Sequence, residues 1–223
     1  MKERPILFSA PMVTAILEGY KTQTRRVMRR QPDAVEYFRS GVITTDTDAQ
    51  NAILRCYNNP KGFKKCASGW LASATYKTPF SEFNVGDCLW VRETFRLYDS
   101  DECPHADFPC GCPRNGTPLF KASHDCRDGE KWTPSIHMPR WASRILLEIT
   151  GIRVERLQSI SDEDAKAEGF DYSTHPSAIE MGYAIGAKTN FRHTWEQIYG
   201  ENAWNKNPWV WVVEFKKLNE VVA

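Results

Sequence analysis

Apolar residues recur along this chain with two different periods, and the points where the period changes divide it into elements. The run "PILF" from Pro5 reads as a short strand, after which Val13, Ile16 and Leu17 fall at helical spacing. Ser9 stands where a helix cap belongs, Pro11 in the first turn and Gly19 at the stop. Residues 27 to 80 have weak periodicity and many Asn, Lys, Gly and Thr, which predicts mostly loop with short strands. In "VGDCLWVRETF", residues 85 to 95, a Gly86-Asp87 turn leads into a strand where Cys88, Trp90 and Arg92 alternate with Leu89, Val91 and Glu93.

Residues 96 to 135 are rich in Pro, Gly, Cys and Asp and leave little room for a core of their own. "RILLEITGIRVERL", 144 to 157, predicts one long strand or two joined at Gly151, because β-branched residues recur between charged ones. "SISDEDAKAEGF", 159 to 170, carries the clearest helix start. Ser161 is its cap, Asp162, Glu163 and Asp164 fill the first turn where the helix dipole favours anions, and Gly169 ends it. A second helix, about 189 to 199, turns Phe191, Trp195 and Ile198 or Tyr199 inward and stops at Gly200. "PWVWVVEF", 208 to 215, closes the series as an aromatic, β-branched strand. This order predicts a single α+β domain over residues 1–223 with a mostly antiparallel sheet or small barrel, not a doubly wound parallel sheet.

Composition narrows the picture only slightly. The 223 residues are 41% hydrophobic and 26% charged with a formal net charge of +1, ordinary values for a globular chain with one sizeable core. Without a global basic excess, any contact with nucleic acid must come from a local patch. The longest apolar runs, such as Trp209 to Val213, are too short to cross a bilayer, and the opening "MKERPILFSAPMV" does not read as a signal peptide. Seven cysteines without a secretory segment point to reduced thiols in a cytoplasm.

The chemistry gathers in "EGYKTQTRR", residues 18 to 26. Charge clusters of this kind are usually solvated faces, so Lys21, Arg25, Arg26, Arg29 and Arg30 read first as a basic edge with threonines that cap. The stretch also resembles the Gly-x-Lys-x-x-Thr-x-Arg signature of ASCH domains, a branch of the PUA-like β-barrels, with Gly19, Lys21, Thr24 and Arg26 at its four fixed positions. The "VGDCLWVRE" strand, the "RILLEITGIRVERL" strand, the "SDEDAKAEGF" helix and the terminal "WVWVVEF" strand follow in the family's order, and "PSIHMPRWASRI" is similar to larger phage and prophage members. The resemblance covers the first thirty residues or so and most of 82 to 217. Segments about 29–80 and 96–135 are then insertions relative to minimal members.

The resemblance implies a small barrel with flanking helices and a cleft for a nucleobase or RNA. It further implies hydrolysis of the acetyl amide of N4-acetylcytidine or a related modified nucleoside, with Lys21, Thr24 and Glu168 carrying catalysis. Glu163 is the competitor for the last role. Arg26, Glu93, His137, Arg140 and Trp141 are the candidates for substrate binding, and Trp90 and Trp195 are further candidates for stacking. The alternative is a non-catalytic RNA- or nucleic-acid-binding module of phage origin, which would use the same cations for phosphates and aromatics for bases.

Amide hydrolysis needs a nucleophile, a proton acceptor and a donor to the leaving nitrogen. Thr24 can attack, and Lys21 can act as base if its pKa falls well below about 10.4. Burial and the neighbouring Arg25 and Arg26 push it that way. Residues 21 and 24 have opposite parity in a strand but stand about 5–6 Å apart on a helical turn, so this chemistry predicts a turn over Lys21–Thr24 with strand beginning near Arg25. The extra cation at Arg25 suits a phosphorylated substrate.

The stretch "CPHADFPCGCPRNGTPLFKASHDC" collects Cys103, His105, Cys110, Cys112, His124 and Cys126. Cys103, Cys110 and Cys112 with Cys126 or a histidine suit a structural zinc, and equally a surface loop with free thiols. No cofactor is expected for catalysis, since minimal family members lack this segment.

Overall fold

The computed structural model describes residues 2–28, 31, 85–102, 111–124, 130–170 and 186–218. Of the segment predicted as mostly loop from 27 to 80, Val27 ends a strand and Met28 and Gln31 are described; the rest lies outside the described residues. The chain divides into two compact units, one of residues 1–19, 87–148 and 216–223 and one of residues 20–86 and 149–215.

In the first unit, β1 (Glu3–Leu7) leads into α1 (Ala10–Leu17). Val13 and Ile16 are buried at the predicted spacing, Pro11 sits in the first turn, and Gly19 ends the helix at φ +85°. Ser9 holds an extended conformation but its side chain makes no capping hydrogen bond, contrary to the role its identity suggests. β3 is Cys88–Arg92, entered through Gly86 at φ +93°. It pairs in parallel with β1, Glu3 facing Cys88 and Leu7 facing Arg92. It pairs antiparallel with the start of β6 (Leu146–Arg156), Trp90 facing Leu146.

The predicted insertion 96–135 is partly described and partly folded onto this unit. β4 (Phe95–Leu97) and β5 (Pro118–Phe120) form a two-stranded antiparallel ladder. Phe95, Met138 and Ala142 make a small core against which Phe120 packs. That core combines residues from both flanks of the segment with Phe120 from within it.

The second unit holds β2 (Gln23–Val27), β6 from Ile149 onward, α2 (Asp162–Ala167), α3 (Ala187–Tyr199) and β7 (Trp209–Lys217) as far as Phe215. β7 buries five consecutive residues, Trp209 to Val213, as its unbroken apolar run requires of a strand covered on both faces. β2 pairs antiparallel with it, Thr24 facing Val213 and Arg26 facing Trp211. The predicted long strand at 144–157 is one element, and Gly151 sits within it where an added Cβ would meet the Glu214 carboxylate. Phe191 and Trp195 of α3 are buried with Phe170 and Trp204, the Phe191 ring 5.5 Å from Phe170. Ile198 and Tyr199, one or other of which was expected inside, are both exposed, although the Tyr199 ring lies 4.4 Å from that of Trp195.

The strand order is β1-β3-β6-β7-β2, a mixed five-stranded sheet accompanied by few helices. Among the described residues no pairing joins β1 to β2, and the small barrel that the resemblance implies is not seen. No described helix is long and apolar enough to cross a membrane.

Candidate functional site

Beyond the Gly19 stop, the chain places Lys21 in an isolated antiparallel bridge with Glu168, the residue that caps the C-terminus of α2. Strand β2 then begins at Gln23. The turn predicted over Lys21–Thr24 is therefore absent: main-chain pairing of Thr22 with Ala167 and Phe215 straightens the segment, with N···O distances of 2.8 Å on each side.

Straightening decides which side chains share a face. Lys21, Gln23 and Arg25 all reach α2 or the residue that ends it. The Lys21 amine donates to Glu168 Oε2 and to the Glu168 carbonyl at 2.8 Å each, and to the Gln23 carbonyl at 2.9 Å. Gln23 Nε2 donates to the Asp164 carbonyl at 2.8 Å and to Asp164 Oδ1 at 3.0 Å. Arg25 donates to Asp164 Oδ2 at 2.9 Å, Glu155 Oε2 at 3.0 Å and Glu168 Oε1 at 3.3 Å. Arg153 on β6 closes the group, donating to Asp164 Oδ1 at 2.8 Å and Gln23 Oε1 at 3.1 Å and pairing with Glu155 and Glu214. Alternation along β2 puts Thr24 and Arg26 on the opposite face, Thr24 buried and Arg26 half-buried.

The pair at the centre is dry. The Lys21 and Glu168 side chains are 0% and 4% exposed. Burial pulls the Lys21 pKa down from 10.5, and Glu168 opposes this by charge and hydrogen bond without cancelling it; the charges of Arg26 and Arg25 add to the fall. For Asp164, burial acts upward, but the hydrogen bond from Gln23 and the charges of Arg25 and Arg153 outweigh it and hold the carboxyl below 3.8. Chemically, the arrangement offers an amine and a carboxylate that can exchange a proton over 2.8 Å away from bulk water.

The sequence-predicted residues thus fare differently. Lys21 and Glu168 meet, and the exposed Glu163 does not compete. Glu93, expected to bind substrate, is buried with both carboxylate oxygens taken by Arg144, at 2.9 and 3.0 Å. Arg144 in turn lies over the Phe120 ring at 4.1 Å and bonds Ser123. His137, Arg140 and Trp141 occupy two short turns of the first unit, Ser135–His137 and Arg140–Ala142, and all three are exposed. Arg140 pairs with Glu3 at 2.9 Å and lies near the Trp90 ring, while Trp195 is core.

Arg25 is turned inward on carboxylates and is not available to a phosphorylated substrate. Gln23, Arg153, Glu155 and Asp164 were not singled out by sequence. The alternation of polar residues at 21, 23 and 25 was the available signal for the first, and Asp164 was visible only as a dipole charge. Cys103, Cys110 and Cys126 lie outside the described residues, and Cys112 is half-buried. Among the described residues no group of three or more His, Cys, Asp or Glu could hold a metal ion.

No family model matches the chain, and no curated protein or solved structure matches it either.

Proposed function

We propose that this chain is a cytoplasmic ASCH-type protein of PUA-like descent that hydrolyses the acetyl amide of N4-acetylcytidine or a related modified nucleoside. One observation carries the reading: the lysine and the glutamate that the resemblance makes catalytic, 147 positions apart, meet at 2.8 Å out of water. Burial favours the neutral amine, and Glu168 is placed to take the proton that Lys21 must lose first. The neutral amine then removes a proton from the attacking oxygen as it adds to the acetyl carbonyl. The carbon–nitrogen bond breaks, the cytosine nitrogen receives a proton back from the pair, and one water is consumed to give acetate and the free nucleoside.

The attacking oxygen belongs to Thr24 or to water. Because β2 alternates, the Lys21 and Thr24 side chains leave the strand on opposite sides, which favours water. A second reading, a non-catalytic module that binds RNA elsewhere on its surface, is favoured over the enzyme by the saturation of Lys21, whose three protons already have acceptors. Incubation with N4-acetylcytidine, followed by chromatography of the nucleoside, separates the two. Turnover that is lost in Lys21→Met and Glu168→Gln is expected. Retention in Thr24→Val identifies water as the nucleophile, and loss identifies the hydroxyl. A wild-type protein that binds RNA and releases no acetate overturns the enzyme in favour of the module.

A further inference from the structure

Arg25 occupies the place between the signature's threonine and arginine, where the Gly-x-Lys-x-x-Thr-x-Arg pattern asks for nothing in particular. Its side chain is nevertheless wholly withdrawn from water. One terminal nitrogen bonds Asp164 Oδ2 and Glu155 Oε2 at 2.9 and 3.0 Å, and the other reaches Glu168 Oε1 at 3.3 Å. The remaining Glu168 oxygen, Oε2, takes the Lys21 amine at 2.8 Å. Glu168 therefore bridges guanidinium and amine with one oxygen for each. Arg25 Nε is buried without a hydrogen-bond partner, as are the Nε atoms of Arg92 and Arg96, so the terminal nitrogens carry its contacts. A planar guanidinium can hold acceptors from two elements in fixed directions; an ammonium, a rotating point charge, cannot.

We propose that Arg25 is the positioning residue of the Lys21–Glu168 pair, anchored on Glu155 and Asp164 and pinning one Glu168 oxygen so that the other faces the amine. The functional meaning of this role rests on the amide-hydrolysis reading of the pair. Arg25 does not reach a substrate, so its loss acts on kcat and spares KM. The charged groups facing it are Glu155 on β6, Asp164 and Glu168 on and after α2, and Lys21 ahead of β2; Arg153 acts through Glu155 and Asp164. Burial does most to hold the Lys21 amine low; the charges of Arg26 and then Arg25 add to it, so removing Arg25 acts in the direction of a higher titration.

Two variants and two readouts test the role. Arg25→Lys keeps the charge and loses the fork; it is expected to hold KM and lose about 100-fold in kcat, the scale of a small misplacement of a reacting group. Arg25→Met is expected to lose at least as much, with its rising pH–rate limb displaced upward. The second readout uses no substrate. In proteins with nitrogen-15-labelled lysine, NMR of the Lys21 amine is expected to show at least tenfold faster proton exchange in Arg25→Lys and a titration at higher pH in Arg25→Met.

An Arg25→Lys protein with wild-type kcat and exchange rate makes Arg25 a plain counter-charge and overturns the proposal. So does a wild-type exchange rate of the Lys21 amine in a folded Arg25→Met protein. If Arg25→Met does not fold, Arg25→Lys decides by the same criteria. If the wild type releases no acetate, the enzyme reading fails while amine exchange still reads the clamp. If Lys21→Met abolishes turnover but both Arg25 variants behave as wild type, the clamp fails alone.

Discussion

A lysine ammonium with three acceptors in a dry setting is well bonded and still poorly placed, because burial acts on its charge. That conflict gives a signed pH dependence. Lys21 has a lowered folded-state pKa, so between that value and 10.5 the unfolded chain binds the extra proton. Stability from this residue therefore rises with pH across that window. Asp164 has the opposite consequence at the acid end. Its folded pKa lies below 3.8, so the stability it contributes is complete above 3.8 and is lost as pH falls through the folded value. Urea titrations at a series of pH values check this: Asp164→Asn should flatten the acid limb below about pH 4. An acid limb identical to wild type would show that Gln23, Arg25 and Arg153 do not hold that carboxyl as their distances indicate.

Two helices illustrate what local chemistry can and cannot announce. α2 has six residues, too few to persist alone, and its start is made by Ser161, whose hydroxyl accepts from the Asp164 amide at 3.0 Å. That cap was legible in sequence because both partners lie within four residues. α1 has a serine in the same role by identity, yet Ser9 bonds nothing with its side chain there. Ser161→Ala should cost about 1 kcal/mol in denaturant unfolding, and Ser9→Ala no more than about 0.5 kcal/mol. The beginning of β2 was not legible. It is set by pairing to β7 and by the bridge to Glu168, contacts with residues that no window around Lys21 contains. The same distance hid the direction of Arg25: its charge was plain, and its three carboxylates were far along the chain.

For the molecule as a whole, the α+β class followed from the change of apolar period, while the sheet's connectivity did not. The parallel pairing of β1 with β3 depends on how the intervening chain returns, and local patterning carries no record of that. Glu93 shows the corresponding loss at the site. Its motif suggested an exposed ligand for substrate, but a carboxylate buried to 1% exposure needs a cation, and Arg144 supplies it from a segment fifty-one positions on. Arg144→Ala leaves that charge uncompensated and should cost about 3–5 kcal/mol in thermal or denaturant unfolding; replacing both members with Glu93→Leu and Arg144→Met should recover most of it. A double variant no more stable than Arg144→Ala would show that the pair does more than neutralise itself.

Sequence separation has one more consequence, for synthesis. The amine of Lys21 leaves the ribosome long before the carboxylate that will receive it, which follows 147 positions later. Throughout that interval the N-terminal lysine is an ordinary, hydrated amine beside a strand whose neighbour, residues 209–217, has yet to be translated. Its lowered pKa depends on burial and on partners made late, so a nascent or truncated chain that ends before them carries the motif with an ordinary lysine.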